Sequence, residues 1–586
     1  MSNSILEELC NIKNKVNECV GFINGIGSNK NVRYYKNVES MKRDISITED
    51  TSCITQGYYE PNDGGGADYI KKNGGFELVV KNGVVNIKQL GAKGDGIFDN
   101  STILKNAVTN YNNILIPDGI YAIKTPLNQP LINLNKNGFT ISSTKKGIIK
   151  NLSKNKSKTG LETFITISNS QDFKINLNYV GDDTIPNIQK ANTGDSCLFI
   201  NNSSEFMVDL NVSNVRYGVR LGNYRNKSNI CENFTLNGKG EKLGYLFALY
   251  GCNSFKIDSV CRGVDRSIYL GGCTEGEINN AYTTPYNADM NIILTTEYCN
   301  GTIKGCSNLN IKVEDLESKR ESVESSSVGI SPQKAGFTEY NTSDFENIYM
   351  DIIKKSEFSC IFKITNNSEQ ATATYNNIIC KFKDYRKDLS GINVVSKFLD
   401  DPNMLNKNNM VVFKNSESKH YLKILGKNAN VILDNVQTNL SFKTPLLNSN
   451  IILKNGSIGK EAILAGYNEV QCYDNSFIAT NPPSKNITNG FNVNNYRWNT
   501  NTSNNFPITQ EVANSKKLIM FNPSLLDKRN YLIKITRGGI KSTDYDITVT
   551  NQPIIVDLVD MKSASRIDIE DKQGQTLTGY THISLY

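Results

Sequence analysis

Cys231-Glu232-Asn233-Phe234-Thr235-Leu236, Cys252-Asn253-Ser254-Phe255-Lys256-Ile257 and Cys273-Thr274-Glu275-Gly276-Glu277-Ile278 begin on cysteines 21 residues apart and share one pattern. A small residue leads, polar residues follow, and a phenylalanine or glycine opens an alternating apolar end. Ser203-Ser204-Glu205-Phe206-Met207-Val208 precedes them in the same form, and Tyr298-Cys299-Asn300-Gly301-Thr302-Ile303 reads as a fifth copy. Each segment has a second apolar end downstream, at Leu221, Leu249, Leu270 and Leu294. Short apolar runs, turns and Asn-rich corners repeating every twenty-odd residues are what a parallel β-solenoid needs, since each coil stacks only on its neighbours. The chain is therefore expected to be mainly β, with an elongated β-helix as its body.

Composition fits. With 586 residues the chain is too long for one compact core, which leaves several domains or one repeat array. Its 38% hydrophobic content is low, and the polar remainder suits turns and stacked corners. A net charge of +7, from 65 Lys and Arg against 58 Asp and Glu, is mild, so no nucleic-acid partner is expected, and with no apolar run near the roughly twenty residues a bilayer span requires, no membrane is expected either. Cys231, Cys252 and Cys273 fall at one site on successive coils, which reads as a stack of small apolar residues in reducing surroundings. Without a Cys-x-x-Cys pair or a Cys/His cluster, no metal or other cofactor is expected. Met1-Ser2-Asn3-Ser4 opens no signal-peptide core, so the chain is expected to be made in a cytoplasm without one.

Along the chain, Ile5, Leu9, Ile12, Val16, Cys19 and Ile23 step by four and three, the seam of a coiled coil over residues 1–27. β-Branched seam residues favour trimers; an amphipathic helix docked on its own chain is the other reading. A small unit over 28–80 centres on Gly57-Tyr58 to Gly66-Ala67, whose glycines lack the Lys and Ser/Thr of a phosphate loop and read as a tight turn. Coils are expected over 81–485, with the polar residues 317–343 leaving them as a long excursion. Residues 486–510 read as a linker, and 511–586 as a small antiparallel β domain, a sandwich or jelly roll.

Gly91-Ala92-Lys93-Gly94-Asp95-Gly96 with Asp99, the helix after it and the Ile116-Pro117-Asp118-Gly119-Ile120-Tyr121 turn resembles the start of pectate-lyase-superfamily right-handed β-helices. With the heptads and the 28–80 unit, the layout is similar to phage tail spikes or pre-neck appendage proteins. That resemblance implies a homotrimer on the virion tail. It would attach to tail or connector proteins through its N-terminus and bind host cell-surface polysaccharide or teichoic acid, with depolymerisation by glycosidic hydrolysis. A non-catalytic receptor-binding fibre, a polysaccharide lyase and a secreted calcium pectate lyase are the alternatives. The Gly-Asp-Gly signature is a structural cap and carries no catalytic residue.

Two histidines in distant segments give no triad, so chemistry falls to carboxylates, tyrosines, lysines and arginines. Strand alternation places Met207, Thr235, Lys256, Glu277 and Thr302 in one outward column and Asp209, Asn237, Asp258, Asn279 and Lys304 in the next. Asp209, Asp258 and Glu277 are the candidate catalytic carboxylates, and an ordinary solvated face is the competing reading. Seven extra residues between Leu221 and Phe234 predict an extruded loop, Gly222–Ser228. Around it, Arg216, Tyr217, Tyr224, Arg225, Tyr245, Arg266 and Tyr269 are the candidate glycan contacts, tyrosine faces for sugar rings and arginine forks for anions.

Overall fold

The computed structural model describes residue 15, residues 32–153, 161–181, 194–222 and 230–283 except 265, and 290–316 except 296, 300 and 301. Beyond these it describes 326–331, 343–355, 360–364, 373–385, 394–398, 410–423, 430–441, 449–462, 468–472 and 477–480. The C-terminal part comprises 494–499, 504–507, 517–521, 529–537, 540–549, 554–557, 564–571 and 580–585. The heptads over 1–27 lie outside the described residues apart from Lys15, as do Tyr224 and Arg225. Two compact units divide the chain, one formed by 1–222 with 231–247, the other by 223–230 with 248–586. No helix among the described residues is long and apolar enough to cross a membrane.

The first unit opens with a four-stranded sheet, Val32–Tyr35, Ser52–Thr55, Asp68–Lys72 and Gly75–Leu78. The helix Val38–Arg43, capped by Asn37, lays Val38 and Met41 on its core beside Cys53 and Tyr69. The glycine-rich stretch is a turn organised around Asp63. Its carboxylate accepts N–H groups from Tyr58, Tyr59, Glu60 and Gly65, so an acid fills the place a phosphate would need.

The Gly-Asp-Gly motif closes the end of the coils. Asp95 accepts the N–H groups of Ile97 and Phe98, and Gly94 meets Gly119 so closely that a Cβ on Gly94 would sit 3.0 Å from the Gly119 Cα. The helix Ser101–Asn110 follows, burying Leu104, Ala107 and Val108, with Asp99 accepting the N–H of Ser101. Parallel coils follow. Phe139, Phe173, Phe206 and Phe234 stack inside them with centroids 4.8–4.9 Å apart and near-parallel planes.

The corner of each coil explains the repeat. Cys231 and Phe234 are both buried, as are Cys252 and Phe255, although positions three apart on a flat strand point to opposite faces. The residue just before the phenylalanine position resolves the conflict by taking positive φ, which turns the chain and resets the alternation. Asp172, Glu205 and Asn233 do this in the first unit, and Ser254, Glu275, Asn308, Asn347 and Asn377 in the second, all between 50° and 56°. Left-handed backbone costs an ordinary L-residue about 1–2 kcal/mol, and asparagine tolerates it best. Side-chain ladders offset that cost: Asn347 Nδ2 donates to Asn308 Oδ1 at 3.0 Å, and Asn377 Nδ2 to Asn347 Oδ1 at 2.9 Å. Asn415, Asn435 and Asn455 take the same conformation in the later coils, where Asn435 Nδ2 donates to Asn415 Oδ1 at 2.9 Å and Asn455 Nδ2 to Asp434 Oδ1 at 2.6 Å.

The second unit is also a parallel β-helix, of the right-handed kind that twisted strands favour. Five rungs of one face run in register: Asn253–Arg262, Thr274–Thr283, Ser307–Asp315, Ser343–Lys354 and Ala373–Asp384. Two expectations fail here. The segment Tyr298–Ile303 is no rung; Glu297–Cys299 and Thr302–Lys304 form an antiparallel hairpin, and the rung after Thr274–Thr283 begins twelve residues late, at Ser307. Cys306 rather than Tyr298 thus follows Cys252 and Cys273 at the head of the next rung, and these buried cysteines are free thiols. Residues 317–343 are not wholly an excursion either, because Ser326–Ile330 is a fully buried strand between Met290–Thr295 and Cys360–Ile364.

Inside the rungs lies a buried ion pair, Lys354 Nζ with Asp315 Oδ2, both side chains at 0% exposure. Tyr282 Oη donates to the same carboxylate at 3.0 Å and lies 3.0 Å from Ser327 Oγ. Toward the C-terminus, two four-stranded antiparallel sheets form. Asn494–Asn499 and Asn504–Pro507, within the stretch read as a linker, are strands of these sheets, paired with Tyr580–Leu585 and Ala564–Asp571.

Two substitutions test these readings. Asn347→Val, which forces a β-branched residue into left-handed backbone, is expected to cost at least about 1–2 kcal/mol in urea unfolding, and Asn347→Gly less. Lys354→Met leaves Asp315 buried without its cation and is expected to cost about 3–5 kcal/mol, much of it recovered on adding Asp315→Leu.

Candidate functional site

In the second unit the register fixes which side chains line the outer face. Ile257, Ile278 and Ile311 form an inward column; outward, Lys256, Glu277, Asn310, Tyr349 and Ile379 align. The neighbouring columns are Asp258, Asn279, Lys312, Asp351 and Lys381, then Val260, Ala281, Glu314, Ile353 and Lys383. Thr302 and Lys304 therefore lose the positions expected for them, to Asn310 and Lys312.

A concavity of about 290 Å³ lies over these columns, lined by Asp258, Val260, Asn279, Ala281, Lys312, Glu314, Asp351 and Ile353. The short Asn279 and Ala281 side chains leave its floor low while charged residues stand around it. Glu314 and Asp351 are diagonal neighbours on adjacent rungs, a separation of about 7–8 Å by sheet geometry. Lys355 Nζ reaches Glu314 Oε1 at 2.5 Å, and Lys381 Nζ lies 3.5 Å from Asp351 Oδ2. The hydrogen bond and charge of Glu314 raise Lys355 above the ordinary lysine range. Tyr349, 40% exposed and two residues before Asp351 on the same face, offers an aromatic ring beside the carboxylates.

Of the three carboxylates expected from sequence, only Asp258 lines this concavity. Glu277 is its diagonal neighbour, as expected, but is two-thirds exposed with Lys256 Nζ 3.8 Å away, a solvated surface pair. Asp209 is exposed in the first unit, between Asn176 and Asn237 on the neighbouring rungs, so its own column gives it no second acid. Glu314 and Asp351 were missed because the rungs holding them follow the hairpin, where the 21-residue count breaks. Cys306-Ser307-Asn308-Leu309 repeats the cysteine-led template and would have marked the restart.

The expected glycan contacts separate likewise. In the first unit the Tyr217 and Tyr245 rings stack at 5.2 Å and 8°, and the Arg216 guanidinium lies 5.7 and 5.3 Å from their centroids. Gly244 permits this packing, since a Cβ there would stand 2.8 Å from Arg216 Cδ. Arg216 and Tyr217 keep partial exposure, whereas Tyr245 is buried. In the second unit Arg266 is half-buried, and Tyr269 is buried with its ring 5.3 Å from that of Tyr250. Tyr217 covers a face of Tyr245, and Tyr269 is buried against the tilted ring of Tyr250, so Tyr245 and Tyr269 present little free face. Among the described residues no group of three or more His, Cys, Asp or Glu could hold a metal ion.

No protein-family model matches the sequence. No curated protein matches it either. Solved structures do. The chain is similar to a tailspike protein mutant of the E. coli bacteriophage HK620 in complex with a hexasaccharide, at 9% identity and TM-score 0.48 over 88% of this chain and 96% of that one. It is similar to the full-length tailspike protein 2 of an Escherichia coli O157:H7 bacteriophage, at 11% identity and TM-score 0.43 over 97% and 82%. PfbA, a surface adhesin of Streptococcus pneumoniae, matches at 11% identity and TM-score 0.38 over 63% and 90%. Likeness this distant assigns no chemistry to this chain.

Because the Lys256–Glu277 pair is solvated, Glu277→Gln is expected to change stability by less than about 1 kcal/mol and to leave glycan binding unchanged. A loss of binding, read by calorimetry, would return Glu277 to the site.

Proposed function

We propose that the chain is a tail-spike appendage of a phage virion, which binds a host cell-surface polysaccharide along the outer face of its coils and depolymerises it hydrolytically. The observation that carries this reading is the concavity of the second unit, where Glu314 and Asp351 stand on adjacent rungs. Their backbone diagonal of about 7–8 Å lets the two carboxyl groups take the roughly 6.5–9.5 Å separation of inverting glycosidases, which leaves room for a water between them. Asp351, with Lys381 Nζ 3.5 Å away, is the base for that water, and Glu314 is the acid. Asp258 and Tyr349 hold the chain of sugars, and Arg216 with Tyr217 supply a separate contact in the first unit. The capping motif and the N-terminal heptads support the homotrimeric, virion-borne setting, with the N-terminus joined to tail proteins.

Incubation with capsular or wall polysaccharide is expected to release reducing ends. Glu314→Gln and Asp351→Asn should each lower that rate by at least about 10²-fold with binding retained. Unsaturated uronate absorbance would instead identify a lyase, and binding with neither product a non-catalytic fibre.

A further inference from the structure

The geometry points to a polymer that carries both charges, a sugar repeat with a cationic amine and an anionic carboxylate or phosphate, as the ligand of the concavity in the second unit. This inference rests on the glycan reading and narrows it. Glu314 and Asp351 are each matched by a lysine, Lys355 and Lys381. Asp258 and Lys312, in the same lining, form no ion pair or hydrogen bond among the described residues. They stand in one outward column with the uncharged Asn279 between them, two rung spacings or about 10 Å apart. Between and beside them the surface is uncharged, made of Asn279, Val260 and Ala281.

A ligand lying along the column thus meets the negative Asp258, an uncharged floor and the positive Lys312 in that order, with Asp351 and its partner Lys381 on the rungs beyond. The volume of about 290 Å³ is at the small end of ligand sites and suits one repeat of a chain rather than a whole oligomer. A polymer of one sign would satisfy one of the two charges and be repelled by the other, and a neutral polymer would strip water from both without replacing it. Only a ligand with both signs at matching separation pairs with each.

The test measures affinity of the full chain for five polymers. De-N-acetylated hyaluronan carries ammonium and carboxylate, phosphorylated chitosan ammonium and phosphate, hyaluronan carboxylate alone, chitosan ammonium alone, and dextran neither. At least one of the first two is expected to bind about tenfold or more tightly than the other three, and whichever leads identifies the anion. Asp258→Asn should reduce that polymer to the affinity of a purely anionic one, and Lys312→Gln to that of a purely cationic one. Melting temperatures of both variants should be unchanged, since both side chains are unpaired surface groups. Equal binding of all five, or selectivity that survives both substitutions, overturns the inference and leaves the glycan reading standing. Absence of binding to every polymer and to host polysaccharide overturns both.

Discussion

One backbone conformation governs this protein: the left-handed residue just before the inward phenylalanine position of each described coil. Without it, the buried cysteine and the buried phenylalanine three positions later could not share an interior, because strand alternation would send one of them to solvent. Placing that residue at the same point of every rung stacks the strain into a column, and the column becomes favourable only if its members bond to one another. Asparagine does both. It accepts positive φ at low cost, and its amide donates to the asparagine one rung away, as Asn347 does to Asn308 and Asn377 to Asn347.

From that corner the rest follows by parity. Once the alternation is reset, Ile257, Ile278 and Ile311 face inward and Asp258, Asn279, Lys312 and Asp351 outward, rung after rung. The outer face is then a grid whose spacing is set by backbone hydrogen bonding. Carboxylates placed on it acquire a backbone separation without any loop to position them, as the diagonal pair Glu314 and Asp351 does. The same grid explains why the interior tolerates Lys354. Stacked strands bring Asp315 beneath it on the next rung, and Tyr282 supplies a further hydrogen bond.

The parallel coils, the cap and the inward phenylalanine column were legible in the sequence because each repeats a local pattern at fixed spacing. Register was legible only where the spacing held. Between Ile278 and Ile311 the chain adds a hairpin, and counting alone assigns Tyr298–Ile303 to a rung that begins at Ser307. That shift moved the candidate site from Asp258 and Glu277 to Asp258, Glu314 and Asp351. Burial was a second limit: Tyr245 is stacked on Tyr217 and Tyr269 is buried against Tyr250, which composition does not reveal. The strand Ser326–Ile330 was hidden for a similar reason, since a short run of serines, valine and glycine in a polar region has no apolar signature. Its Val328 and Ile330 are buried between Ile292 and Leu294 of one neighbouring rung and Phe362 and Ile364 of the other.

Disulfide trapping across the disputed register tests the account most directly. Asn279→Cys with Lys312→Cys places two thiols on directly paired residues of adjacent rungs, within the Cα separation a disulfide spans. Mild oxidation of that double variant is predicted to give the cross-link in high yield, while Asn279→Cys with Lys304→Cys gives none. Preferential cross-linking of position 304 would contradict the register, and with it the columns from which the site is built.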